Sequence, residues 1–204
     1  MDKLIIEGGR RLRGSVSVSG SKNAALPILL ATLLTDETCV IERVPDLRDI
    51  RTTAALLEFM GKRIVRRGDT VEVHPRRKLK RDAPYDLVKQ MRASVLVAGP
   101  LLARFRRVRV PLPGGCAIGM RPIDLHLFGF ERMGAKVSQR GGDISLHSRG
   151  RLKGTRIRLR FPSVGATENV LMAAVLASGK TVIENVAREP EITDLVVFKR
   201  NIGA

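Results

Sequence analysis

Three helix endings in this sequence superimpose on one another, and no other feature restricts the fold as much. The segments ALLEFMGKRI, GFERMGAKV and FKRNIGA align when Gly61, Gly134 and Gly203 are set in register, and Ile50, Ile123 and Ile192 then each fall eleven residues ahead of the glycine. The glycines stand 73 and then 69 residues apart, regular enough to mean one supersecondary unit used three times. CVIERV and TVIENV, at matching places in the first and third units, support the same alignment independently. Each unit reads as β-α-β-α-β-β, which makes the chain a mixed α/β (α+β) protein.

In order, Leu4–Glu7 and Ser15–Ser19 are predicted as short strands separated by Gly8, Gly9 and Gly14. Ala24–Leu34 is apolar enough for a buried helix, with Ser21 or Asn23 as N-cap and Pro27 restricting its first turns. CVIERV predicts a strand, LRDIRTTAALLEFM an amphipathic helix stopped by Gly61, and GKRIV and Thr70–His74 two further strands. Past a basic linker, RRKLKRDAP, the pattern predicts one helix from Tyr85 to Arg104, kinked at Pro100, and then a strand at Val108–Leu112. A helix ending at Met133, strands at Ala135–Gln139, Ile144–His147 and Thr155–Arg160, a helix in GATENVLMAAVLASG, a strand in TVIENV and a last helix in EPEITDLVVFKRNIGA complete the reading. The third unit stops at Gly203-Ala204 where the first two run on into two more strands, so the expectation is a last unit cut short, with an unpaired edge and exposed apolar surface.

With 44% hydrophobic residues among 204, the chain can bury a core, which excludes general disorder. It contains no run of about 18 apolar residues, and MDKLIIEGGRRLRG lacks the apolar core of a secretory signal, so a cytoplasmic protein is expected. Cys39 and Cys116 make no disulfide framework. Lys and Arg outnumber Asp and Glu by 37 to 20, a net charge of +17, which calls for an anionic partner: nucleic acid, nucleotide sugar, phosphorylated metabolite or acidic membrane. One Tyr, no Trp and six Phe leave single-stranded nucleic acid little to stack on. His74 and His147 have no companions at metal-ligand spacing and no P-loop is present, so neither a metal nor a prosthetic group is expected.

The chemistry concentrates in PGGCAIGMRPID, Pro113 to Asp124. Gly114, Gly115 and Gly119 let the backbone approach a ligand closely, and Pro122 is placed to open a helix. Cys116 and Arg121 then lie near a helix N-terminus, where anions are favoured and thiol pKa values fall. That arrangement suits an anionic electrophile, although a single cysteine is also an ordinary small hydrophobe.

At SGSKNAALPIL, PGGCAIGMRPIDLHL, FPSVGATEN and TVIENVAREPEI the sequence resembles the UDP-N-acetylglucosamine 1-carboxyvinyltransferase family of enolpyruvyl transferases, over essentially its whole length. The related 5-enolpyruvylshikimate-3-phosphate synthases share the repeated fold and lack this cysteine loop. The resemblance implies an inside-out α/β barrel domain of three repeated units, helices inside and sheets outside. It also implies a second domain beyond this chain, with substrates in the cleft between the two. Residues 1–21 would then pack with the missing domain, and residues 22–204 would form an incomplete first one. By the same resemblance, Cys116 protonates phosphoenolpyruvate and is the target of fosfomycin, Lys22 and Asn23 hold phosphoenolpyruvate near the sugar hydroxyl, and Arg121 binds phosphate. Arg121, Pro122, Ile123, Asp124 and Leu125 line the nucleotide site, Phe161, Pro162, Ser163 and Val164 form its second wall, and Arg92 is a further contact. Phe161 stands where some members carry a lysine, so one diphosphate contact is missing unless the ring is simply core. His126 can hydrogen-bond at the nucleotide segment or serve packing alone.

The implied reaction moves an enolpyruvyl group from phosphoenolpyruvate to the 3-hydroxyl of UDP-N-acetylglucosamine, the first committed step of peptidoglycan synthesis. The family's base lies in the second domain, so this chain alone is expected to be inactive. Two other classes stay open: a non-catalytic UDP-sugar or anion-binding module, and, less favoured, a basic nucleic-acid binder.

Overall fold

A computed structural model describes residues 3–76, 78–111 and 123–203. The chain begins its regular structure at α1 (Lys22–Ala31), capped by Ser21, whose Oγ accepts from the Ala24 N–H at 3.4 Å. Helix α1 is apolar nearly all round and is a buried helix for that reason, continuing into a 3-10 turn at Thr32–Leu34. Strand β1 (Cys39–Ile41), helix α2 (Arg48–Met60) and the hairpin β2 (Lys62–Arg67) and β3 (Thr70–Pro75) complete the first unit. Its sheet has the order β1-β3-β2, antiparallel throughout, with Val73 opposite both Cys39 and Ile64. Alternation does the sorting, since Cys39, Ile41, Val71 and Val73 face the core while Val40 and Arg63 face out.

The second unit repeats this plan. After α3 (Tyr85–Gln90), a 3-10 turn at Arg92–Val97 and α4 (Ala98–Phe105) come β4 (Arg107–Pro111), α5 (Asp124–Arg132), β5 (Lys136–Arg140) and β6 (Asp143–His147). The sheet order is β4-β6-β5, again antiparallel, with Leu146 opposite both Val108 and Val137. The third unit differs: β7 (Arg156–Arg158) pairs in parallel with β8 (Val182–Glu184), and α6 (Val164–Ala174) and α7 (Pro190–Asn201) flank them. Gly61, Gly134 and Gly203 all hold positive φ, at 112°, 93° and 86°, so the aligned glycines share the left-handed conformation that a Cβ disfavours. Ile50, Ile123 and Ile192 are all buried.

Helices pack inside: α1 on α2 and α7, α4 on α6, and α6 on α5. Close approach depends on small residues, because a Cβ on Gly99 would stand 2.4 Å from the Asn169 carbonyl oxygen and one on Gly129 would stand 2.3 Å from Val170 Cγ2. The strands pack on these helices, β2 on α2, β4 on α4, and β5 and β7 on α5.

Two expectations fail here. Leu4–Glu7 and Ser15–Ser19 are not strands; they carry no regular structure, with Leu4, Ile6 and Val18 at 84–91% exposure, since an alternating pattern becomes a strand only against a neighbour that takes its backbone hydrogen bonds. The helix expected over Tyr85–Arg104 is three pieces. Met91 is extended (φ −146°, ψ 124°) and interrupts it, while Pro100 sits in the first turn of α4, which follows the 3-10 turn directly.

Candidate functional site

Lys22 opens α1, and its Nζ lies 2.8 Å from Asp49 Oδ2, in the first turn of α2, where the helix N-terminus favours a carboxylate. Both side chains are partly exposed, so the ammonium is held in place and still open to an anion from solvent. Asn23 follows on an exposed position. Arg92 lies in the 3-10 turn that packs on both α1 and α6, and α6 in turn packs on α5. The elements carrying Lys22, Asn23, Arg92, Val164, Asp124 and Leu125 are therefore contiguous.

Cys116, Arg121 and Pro122 lie outside the described residues. The described part of the nucleotide segment begins at Ile123, buried at the N-cap of α5, with Asp124 half-buried as its first helical residue and Leu125 turned into the core. Asp124 Oδ2 accepts from Arg160 Nη2, while Oδ1 is buried without a hydrogen-bond partner among the described residues. Three residues on, Ser163 caps α6, its Oγ accepting from the Ala166 N–H at 3.4 Å, and Val164 is the first residue of that helix. The Asp124–Arg160 ion pair thus joins the two expected walls. Phe161 is 52% exposed and Pro162 is exposed, so Phe161 is not a core residue.

Several groups that matter to this site were not singled out from the sequence. Asn169 is fully buried in α6; it accepts from the Gly99 N–H at 2.7 Å, donates to the Val95 carbonyl at 3.1 Å and lies 3.0 Å from His126 Nδ1. Its one available signal was a lone amide inside the apolar run VGATENVLMAA. His126 is accordingly a buried, hydrogen-bonded residue. Glu168, next to Asn169 in sequence, is pushed up to about 8 by burial and then by the carboxylates of Glu191 and Glu189. Arg160 and Asp49 carried no periodic or motif signal, since an exposed charge becomes informative only once its partner is known. Cys39, the other cysteine, is buried, and burial raises its thiol above the ordinary value, which leaves it a small hydrophobe. Among the described residues no three His, Cys, Asp or Glu side chains are grouped to hold a metal ion, and no helix is long and apolar enough to cross a membrane.

Residues 6–204 match the family model described as EPSP synthase (3-phosphoshikimate 1-carboxyvinyltransferase). UDP-N-acetylglucosamine 1-carboxyvinyltransferase from Endomicrobium trichonymphae is 56% identical over all 204 residues, which cover 49% of that protein. The protein of the same name from Nitratidesulfovibrio vulgaris (strain DP4) is 57% identical over 204 residues, 48% of its length. Among solved structures, the enolpyruvyl transferase NikO from Streptomyces tendae superimposes with a TM-score of 0.83 at 23% identity, over 97% of this chain and 46% of that one. EPSP synthase from Acinetobacter baumannii superimposes at 0.70 and 19% identity, over 88% of this chain and 42% of that one. These two carry the fold. The chain spans about half the length of the curated relatives it matches.

Proposed function

This chain belongs to the EPSP synthase (3-phosphoshikimate 1-carboxyvinyltransferase) family, and from that premise we propose that it is the UDP-sugar-binding half of an enzyme that transfers enolpyruvyl from phosphoenolpyruvate to the 3-hydroxyl of UDP-N-acetylglucosamine. The observation that carries the reading is identity of 56–57% along the whole chain to proteins named for that transfer. The Asp124–Arg160 pair supports it, because it draws the two segments expected to enclose the nucleotide to one place.

In the proposed chemistry the sugar oxygen adds to C2 of phosphoenolpyruvate while C3 takes a proton, and loss of that C3 proton and of phosphate then restores the double bond. Cys116 is the acid toward C3, and Lys22 and Arg121 neutralise carboxylate and phosphate. Lys22 is already oriented by Asp49, so an incoming anion shares a cation that needs little reordering. The base that takes the hydroxyl proton belongs to a second domain, which residues 1–21 also meet; the exposure of Leu4, Ile6, Leu12, Val16 and Val18 supports that assignment. A cytoplasmic location belongs to the same proposal, and the lack of any helix long and apolar enough to cross a membrane among the described residues is consistent with it.

Phosphate release from phosphoenolpyruvate plus UDP-N-acetylglucosamine tests the division of labour. The chain alone gives no turnover, and a second half added from a complete relative restores some. Turnover by the chain alone at the level of a complete enzyme contradicts the proposal. Saturable UDP-sugar binding with no phosphate release even after that addition favours a non-catalytic binding module.

A further inference from the structure

Three helical segments that carry candidate contact residues meet at one side-chain amide. Asn169 of α6 accepts from the Gly99 N–H in α4 and donates to the Val95 carbonyl in the turn that begins with Arg92. Its second N–H faces His126 Nδ1 of α5, two residues after Asp124. We propose that Asn169 is a positioning residue for the nucleotide-sugar site: one amide locks the segments carrying Arg92, Asp124 and Ser163 together and fixes the tautomer of His126. The inference rests on the functional reading above and names the device that holds that site in register.

The chemistry leaves little freedom. A backbone N–H on one side and a backbone carbonyl on the other fix which end of the amide is oxygen and which is nitrogen. The remaining amide N–H then points at His126 Nδ1, which must accept, so the neutral ring carries its proton on Nε2. That edge of the ring lies over the first turn of α6, since a Cβ on Gly165 would stand 3.2 Å from His126 Cε1 and 3.4 Å from Nε2. The histidine is thereby clamped between the amide and the helix whose N-cap is Ser163. Asn169 is wholly buried and His126 nearly so, at 0% and 4% exposure, so water cannot substitute for a lost partner. Glycine at 99 permits the approach, because a Cβ there would stand 2.5 Å from Asn169 Oδ1.

Only three histidines occur in the chain, so a 15N-histidine-labelled sample has three imidazoles to assign, and His126→Gln identifies the one at issue. At neutral pH the parental chain shows His126 with an unprotonated Nδ1 and a protonated Nε2. Asn169→Asp keeps an acceptor for Gly99 and turns the amide donor into an acceptor. The proton then moves to Nδ1 or the ring becomes imidazolium, and affinity for UDP-N-acetylglucosamine falls by about tenfold or more as the segments lose register. A merely space-filling Asn169 leaves the His126 signature unchanged. The proposal is overturned if the parental ring is protonated on Nδ1, or if Asn169→Asp binds UDP-N-acetylglucosamine within twofold of the parental chain. If Asn169→Asp does not fold, the parental spectrum still decides the tautomer. A parental chain with the expected tautomer and no UDP-sugar binding overturns the functional reading, and with it the substrate role of the hub.

Discussion

CVIERV in the first unit and TVIENV in the third differ at two of six positions, yet they enter different sheets. Strand β1 runs antiparallel to β3, whereas β8 runs parallel to β7. The local backbone is nonetheless shared: Arg43 and Asn185, at the fifth position of each, both hold φ of 55°. The short segment therefore encodes its own turn, and its partner is decided by what the chain brings alongside. In the first unit that is the hairpin after α2; in the third it is the strand before α6. The consequence is a difference in cover. Ile41 is buried, while its counterpart Ile183 is half-buried beside a two-stranded pair.

Charge separates the two units most. The first buries Lys62, whose Nζ donates to the Thr35 carbonyl at 2.7 Å and whose pKa is lowered by desolvation. The third buries Glu168, raised from 4.5 to about 8, and Lys199, lowered from 10.5 to about 8 by burial. Between pH 4.5 and about 8 the folded state keeps a proton on Glu168 that the unfolded chain has lost, so stability falls as pH rises through that window. Between about 8 and 10.5 the unfolded chain holds the extra proton on Lys199, so stability rises again. Glu168→Gln is expected to flatten the lower limb and to be more stable near pH 8 by on the order of several kcal/mol, read from denaturant midpoints across pH. An unchanged slope in that variant assigns the pH dependence elsewhere.

Packing gives the next effect. Ile41→Ala should cost about 3 kcal/mol and Ile183→Ala about 1 kcal/mol in urea unfolding, because Ile41 is the more deeply buried of the two. Equal losses would mean that the two strands are covered alike. The smallest effect compares the shared turn. Arg43→Gly removes a left-handed strain and should stabilise by about 1 kcal/mol. Asn185→Gly should be neutral or destabilising, since asparagine tolerates that conformation and its Nδ2 donates to the Leu159 carbonyl at 2.9 Å. A gain of the same size at both sites would make the asparagine contact irrelevant.

Much of this architecture was legible in the sequence because it is written locally. Ser21 caps α1 as its place before the apolar run predicts, and Gly61 ends α2 in the left-handed conformation that its place after Met60 predicts. What failed depended on partners. Val16 and Val18 alternate as a strand should, and nothing among the described residues pairs with them. Helix α3 ends because Met91 is extended, which no proline or glycine announces. At the candidate site, the motif segments named Asp124 and Ser163 as candidates, whereas Arg160, Asp49 and Asn169 became visible only when their partners, far apart in sequence, were brought together.

Calorimetric titration of the chain with UDP-N-acetylglucosamine tests most directly whether the second and third units form half of a nucleotide-sugar site. Saturable one-to-one binding, weakened by about tenfold in Asp124→Ala and little changed in Arg43→Gly, is the result expected of a site joined through the Asp124–Arg160 pair. Absence of saturable binding, or binding that Asp124→Ala leaves intact, contradicts it.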